Sequence, residues 1–302
     1  MFDLFYRLVQ WLEETTKIIS DHKIPFGDYM TVVIKGLTEN ASGFFDIIKL
    51  GLNSVIQATL FVVASVPPLV MVVLMVTGVW FLHRAIVLTI MTLLSLILII
   101  NLGYWQAMNE TLALVVWSTL VCIMIGVPLG IAAAHRPVLY NFMRPILDLM
   151  QTIPTFVYLI PTLVLFGLGV VPGLISTAIF ALPAPIRLTH LGVSAVPQQM
   201  VEAGKAFGAT KRQLLWKVEL PYAMPTIMAG VTQCIMLSLS MVVIAALVGA
   251  DGLGKPVVRA LNTVNLSMGF EAGMAIVILA ILLDRICKLP EPRSQKNPKG
   301  GH

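Results

Sequence analysis

From residue 67 onward, long apolar runs alternate with short polar breaks, a pattern that predicts helices crossing a bilayer. A hydrocarbon core of about 30 Å needs roughly 20 apolar residues as helix. On that measure spans are expected near 67–82, 85–101, 111–134, 152–170, 173–191, 223–249 and 271–287, about seven within a range of six to eight. The first 66 residues follow another pattern. Phe2, Phe5, Leu8, Val9 and Leu12 recur at helical spacing, which predicts an amphipathic helix on a membrane surface or against another segment. The stretch 21–43 is mixed and rich in turn formers, and a second helix is predicted over about 44–65. Its polar stripe of Asp46, Lys49, Asn53 and Gln57 argues for an interfacial helix, although it is also the first candidate for an extra span. The expectation is an all-α polytopic membrane protein with three parts. These are an N-terminal amphipathic region at 1–66, a transmembrane region at 67–287 and a polar, disordered tail at 288–302.

Composition agrees with this pattern. The 302 residues are 58% hydrophobic and 12% charged, with a mean hydropathy of +0.90, whereas soluble domains carry about 25% charged residues. The net charge of +5 does not signal nucleic acid, because the cations stand in short loops beside apolar runs and form no basic face. Their distribution predicts orientation instead. Arg84, Arg136, Arg144, the segment 187–217 and the residues after 284 carry Lys and Arg, while 102–110 and 171–172 carry none. The C-terminus and the segment 187–217 are therefore expected in the cytoplasm. With an odd number of spans, the first fifty residues, with seven acids against five Lys plus Arg, are expected outside. Asp3, Glu13 and Glu14 interrupt the N-terminus, which does not read as a cleaved signal peptide. Cys122, Cys234 and Cys287 read as small hydrophobes, and neither they nor the five scattered histidines suggest a disulfide or a metal site.

Three groups of residues invite a chemical reading. Gly249, Gly254 and Lys255 match the start of a phosphate-binding loop, but Pro256 stands where a magnesium-binding Ser or Thr is needed. The stretch is read as a glycine-rich external turn. Gln151, Pro154, Phe156 and Tyr158 place polar, aromatic and proline residues in one expected span. Prolines free backbone carbonyls, which a membrane tolerates only against protein or a wet cavity. The segment is therefore a candidate pathway lining, with a kinked helix packed in the bundle as the equal alternative. Ser238 and Ser240 are further candidates, against the plainer reading that serines bond back to helix carbonyls. Trp105, Trp117, Phe156 and Tyr158 are available to cage an organic cation.

The most distinctive stretch is a charged island at 202–221, EAGKAFGATKRQLLWKVELP, between two apolar runs. Residues up to Phe207 favour helix, Gly208 can supply a positive-φ turn, and Thr210 and Gln213 have capping-box spacing. Pro221 is expected to end the second helix. Two short helices joined by a glycine elbow, within 198–221, are thus predicted. The stretch resembles the coupling motif of ABC-importer permeases: Glu-Ala-Ala, three residues, Gly, nine residues, Ile, one residue, Leu-Pro. Glu202, Ala203, Gly208, Leu220 and Pro221 match at the required separations, while Gly204 replaces the second alanine and Val218 the isoleucine.

The likeness extends further. LDLMQTIPTFVYLIPTLVLFGLGVVPG, IFALPAPIRLT, KVELPYAMPTIMAGVTQCIMLSLSMVVIAALVGADGLG and IVILAILLDRI are similar to consecutive segments of permease subunits for glycine betaine, proline betaine and choline uptake, over about residues 50–287. Asp251 departs from the small residue often found there. The resemblance implies a type I importer fold and a non-catalytic subunit in the inner membrane that works as a homodimer. It also implies two ATPase subunits that bind ATP and magnesium, and an extracytoplasmic binding protein that largely sets substrate choice. Glu202, Ala203, Gly204, Gly208, Val218, Leu220 and Pro221 would then be structural couplers. Two other classes compete. An ion-gradient transporter would be expected to show internal repeats or intramembrane carboxylates, and a membrane scaffold would need an output domain.

Overall fold

The structure, a computed structural model, describes residues 2–21 and 25–287, so the expected tail at 288–302 lies outside the described residues. Every regular element among the described residues is helical. The chain divides into two compact units, Met1–Phe44 and Phe45–His302. The first unit holds α1 (Phe2–Asp21) and the beginning of α2 (Phe26–Ala64). The expected amphipathic helix is α1, and Phe5, Tyr6 and Trp11 are exposed on it. The expected turn-rich stretch at 21–43 is corrected, because helix begins at Phe26, directly after Pro25. Met30, Val33, Ile34 and Leu37 supply a helical apolar period there, and the break in α2 falls later, at Ala41 (φ −128°, ψ 21°).

In the second unit the remainder of α2 is followed by α3 (Pro68–His83), α4 (Ile86–Asn101), α5 (Trp105–His135) and α6 (Pro137–Thr152). Then come α7 (Leu159–Phe166), α8 (Val170–Ala181), α9 (Pro183–Ser194), α10 (Gln198–Ala206) and α11 (Lys211–Leu214). The chain closes with α12 (Leu220–Ala246), α13 (Gly254–Thr263) and α14 (Leu266–Cys287). Among the described residues, five helical stretches are long and apolar enough to cross a membrane: 27–64, 105–135, 170–194, 211–246 and 266–287. A bent pair adds a sixth, and the expected spans at 67–82 and 85–101 correspond to the two shorter apolar helices α3 and α4.

The expected span at 152–170 is not one helix. It is replaced by α6, a 3₁₀ turn at Thr155–Tyr158 and α7, with a bend of 107° between the two halves. Pro154 explains the break. It forces Ile153 out of helical geometry (ψ 130°) and offers no N–H to the Met150 carbonyl four residues back. The Tyr158 hydroxyl donates to that orphaned carbonyl instead. Pro161 sits in the first turn of α7, where a missing donor costs little.

The packing centre is α9, which lies most extensively against α5 and α12. Glycine makes this approach feasible. A Cβ on Gly126 would stand 2.8 Å from Pro185 Cγ, and one on Gly130 would stand 2.7 Å from the Ile186 carbonyl oxygen. Gly126 and Gly130 are four apart, the small-residue spacing that lets membrane helices meet backbone to backbone. On the other side of α9, a Cβ on Gly192 would lie 3.1 Å from the Ala223 carbonyl, and one on Gly230 would lie 3.0 Å from Leu188 Cβ. A separate apolar cluster joins Leu96 and Ile99 of α4, Met108 and Val115 of α5, Leu239 of α12 and Leu279 of α14.

Cys122 and Cys234, remote in sequence, are fully buried neighbours between α5 and α12, in one cluster with Ala178 and Ala181 of α8. Gly130→Ala should destabilise the fold by about 2 kcal/mol, because the obstructing atom is a backbone carbonyl that cannot rotate away. Gly78→Ala, which meets nothing within 4 Å, should be neutral. Thermal unfolding of the two variants in detergent compares them directly.

Candidate functional site

The charged island folds as its local chemistry dictates. The α10 helix ends in a closed reversal: Gly208 N–H donates to the Lys205 carbonyl (2.9 Å) and Ala209 N–H to the Gly204 carbonyl (3.0 Å). Both bonds require a left-handed residue after Phe207, and Gly208 supplies it with φ +77°. The next helix starts in a reciprocal capping box. Gln213 N–H donates to Thr210 Oγ1 (3.3 Å), and Thr210 N–H donates to Gln213 Oε1 (2.8 Å). Gly204 lets the two short helices close on each other, since a Cβ there would stand 2.7 Å from Leu214 Cδ1. Beside the elbow Phe207 is 93% exposed, and Trp216, in the segment after the second short helix, is 63% exposed.

Pro221 does not end the second helix. From Leu215 to Glu219 the backbone widens into a π turn, in which Leu220 N–H donates to the Leu215 carbonyl, and α12 begins at Leu220. The widened turn takes up the clash between a proline ring and the preceding carbonyls, and Pro221 then sits in the first turn of α12. The second half of the charged island, from Lys211 onward, is therefore one continuous rod with a membrane helix.

Glu219 is buried, and its carboxylate lies 2.9 Å from His135 Nε2 at the end of α5. His135 Nδ1 lies 2.9 Å from the Ile131 carbonyl. Sequence reading missed this pair, 84 positions apart. The only local hint was an acid and a histidine at the edges of apolar runs. Nearby helices carry two more polar links. Arg187 of α9 donates to Asp148 of α6 (2.6 Å), and Tyr140 stacks flat on His190 with ring centroids 3.5 Å apart.

The candidate pathway residues are not gathered in one place. Gln151, Pro154 and Phe156 are exposed at the bend between α6 and α7, while Tyr158 is buried as the cap of Met150. Ser238 is fully buried, and Ser118 Oγ donates to its hydroxyl across the α5–α12 contact (3.3 Å). Ser240 is exposed and bonds back to the Met236 carbonyl (3.0 Å). Of the four aromatic candidates, Trp117 donates to Thr59 (3.0 Å) and Trp105 lines a cavity at the start of α5. At the apparent phosphate loop, Lys255 pairs with Asp251, and Gly254 opens α13 against the Val242 carbonyl.

Comparison with known proteins decides the class. The family described as the binding-protein-dependent transport system inner membrane component matches residues 126–296. The chain belongs to this family. Its fold is the type I importer permease fold, built among the described residues without a strand. The glycine betaine transport system permease protein OpuAB of Bacillus subtilis is 45% identical over 265 residues, covering 87% of this chain and 93% of that protein. The glycine betaine/carnitine permease GbuB of Listeria monocytogenes is 44% identical, covering 87% and 94%. The glycine betaine/proline betaine permease ProW of Escherichia coli is 53% identical over 195 residues, covering 65% of this chain and 55% of that one. Among solved structures, inward-facing conformations of the MetNI methionine ABC transporter superpose with a TM-score of 0.54 at 28% identity, over 59% of this chain and 92% of that one.

In this inner-membrane component, His135→Ala leaves the Glu219 carboxylate buried without its partner. A cost of about 1–3 kcal/mol is expected from the unsatisfied group. Glu219→Gln in the same background should recover much of it, and thermal unfolding of the single and double variants reads the coupling.

Proposed function

We propose that this chain is the membrane-spanning subunit of an ATP-driven importer for quaternary ammonium compounds of the choline and betaine class. The observation that carries the reading is the charged island. It is a rigid elbow flanked by the exposed Phe207, and its second half is continuous through the π turn with a membrane helix. Such a unit suits docking into a cleft on a separate ATPase and passing its movement into the bilayer. The solutes named for OpuAB, GbuB and ProW support the solute class.

On this reading two copies of the chain assemble with two ATP-binding subunits and an extracytoplasmic binding protein. Magnesium and ATP belong to the ATPase, and this chain carries out no bond chemistry. ATP binding closes the ATPase dimer around the elbows, and the two membrane halves turn outward to accept substrate from the docked binding protein. Hydrolysis then restores the inward-facing state. The elbow and the C-terminus face the cytoplasm. Glu202, Ala203, Gly204, Gly208, Val218, Leu220 and Pro221 act as couplers through shape alone.

Gly208→Val tests this. A β-branched residue at φ +77° is strained by about 1–3 kcal/mol, and a Cβ at Gly208 meets nothing within 4 Å, so the core is left intact. The variant should insert normally yet lose ATP-driven uptake and substrate-stimulated ATPase in proteoliposomes containing all three components. Normal transport by the variant would remove the coupling role. Wild-type uptake that ignores ATP and follows a sodium or proton gradient would replace the importer with a secondary transporter.

A further inference from the structure

At the end of α5 opposite His135 there is a cavity of about 580 Å³, whose walls come from the last turns of α2, the first turn of α5 and the turn after α12. α5 has 31 residues and is therefore about 45 Å long; this cavity and the elbow lie at its two extremes. Trp105, Gln106, Asn109 and Glu110 face it from α5, Phe61 from α2, and Asp251 from the turn.

The sequence places Glu110 and Asp251 141 positions apart, and one hydrogen bond brings them together. The buried Thr111 hydroxyl accepts the Leu253 N–H (2.8 Å). Gly252, with φ +127°, leaves no room for a side chain, since a Cβ would stand 2.5 Å from Thr111 Oγ1. Asp251 is thereby fixed beside the residue that precedes Thr111.

The charges in this cavity are unequal. Asp251 is paired with Lys255, whereas Glu110 accepts a neutral amide hydrogen bond from Gln106 (3.0 Å) and lies within electrostatic reach of both Asp251 and Lys255. Among the described residues that line the cavity there is no Lys, Arg or His. Asn109 Oδ1 is buried without a hydrogen-bond partner, an acceptor left without a donor in a wall already rich in acceptors. A negative, acceptor-rich wall with two aromatic side chains favours a cation. The volume far exceeds a metal cage, whose oxygens must close to about 2.3–2.6 Å, and indole and phenyl faces attract organic cations.

We infer that this cavity is a binding site for the quaternary ammonium group of the transported solute, with Glu110 supplying the charge and Trp105 the aromatic face. The inference rests on the proposed solute class and adds to it a location in this chain. On the proposed orientation the site lies at the extracytoplasmic mouth, where a binding protein would release its cargo.

The test uses the permease with its ATPase in nanodiscs without binding protein, and measures equilibrium binding of radiolabelled choline. ATP-driven uptake is measured in parallel with the binding protein present. Wild-type complex should bind choline. Glu110→Gln and Trp105→Ala should each weaken binding at least tenfold, Trp105→Phe should keep most of it, and Glu271→Gln, outside the cavity, should match wild type. Retention by Trp105→Phe together with unchanged thermal unfolding of Glu110→Gln separates recognition from misfolding. Equal choline binding by wild type, Glu110→Gln and Trp105→Ala overturns the site, as does a wild-type complex that binds none, even if ATP-driven uptake proceeds. Binding that falls tenfold in both variants while uptake ignores ATP keeps the site and removes the importer reading.

Discussion

The structure depends on how closely α9 can approach the two helices that flank it. In a bilayer, helices gain little by hiding apolar surface from one another, because lipid is equally apolar, so close van der Waals packing has to supply the association. Gly126 and Gly130 on one side and Gly192 and Gly230 on the other provide it by removing the side chains that would hold the backbones apart. The contacts between α5 and α12 follow from this three-helix stack. Ser118 meets Ser238, and Cys122 meets Cys234, only because α5 and α12 are drawn together beside α8 and α9.

The same stack explains why the polar groups around the end of α5 and along α9 are paired. Where α5 ends, His135 receives Glu219 from the π turn; where α6 passes α9, Asp148 receives Arg187. Burying a carboxylate without a partner is costly, and the buried Glu219 is matched by an imidazole on a neighbouring helix, while the exposed Asp148 meets a guanidinium. The elbow is thus attached twice, covalently through α12 and electrostatically through α5. In the proposed cycle, motion of the elbow cannot leave either helix behind.

Much of this was legible in the sequence where the chemistry is local. Gly208, Thr210 and Gln213 fix a turn and a cap within a few residues, and the apolar runs announce the helices that carry them. Legibility failed where a partner from afar decides. Pro154 marked a kink, but a bend of 107° is stable only because Tyr158 reaches back to Met150. Nothing local marks the glycines at 126 and 130, whose role comes from α9 packed against them. Pro221 read as a stop because a proline usually ends the helix before it, and only a widened turn allowed the rod to continue. The comparison family fixes the class of machine, whereas the acidic cavity near Glu110 depends on a turn more than a hundred residues away.

The π turn has a rotational consequence. Leu214 and Glu219 are five residues apart, and both are buried. On an uninterrupted α-helix, at about 100° per residue, they would point some 140° away from each other. The wider turn returns both to the same side, so that Leu214 closes on Gly204 while Glu219 meets His135, and Ala223 and Ile227 continue the line into the bundle. The extra residue works as an azimuthal offset between two helices that share one axis. It lets the elbow and the membrane segment each choose a contact face, and any shift of that offset by one residue would swing Glu219 out of its pocket.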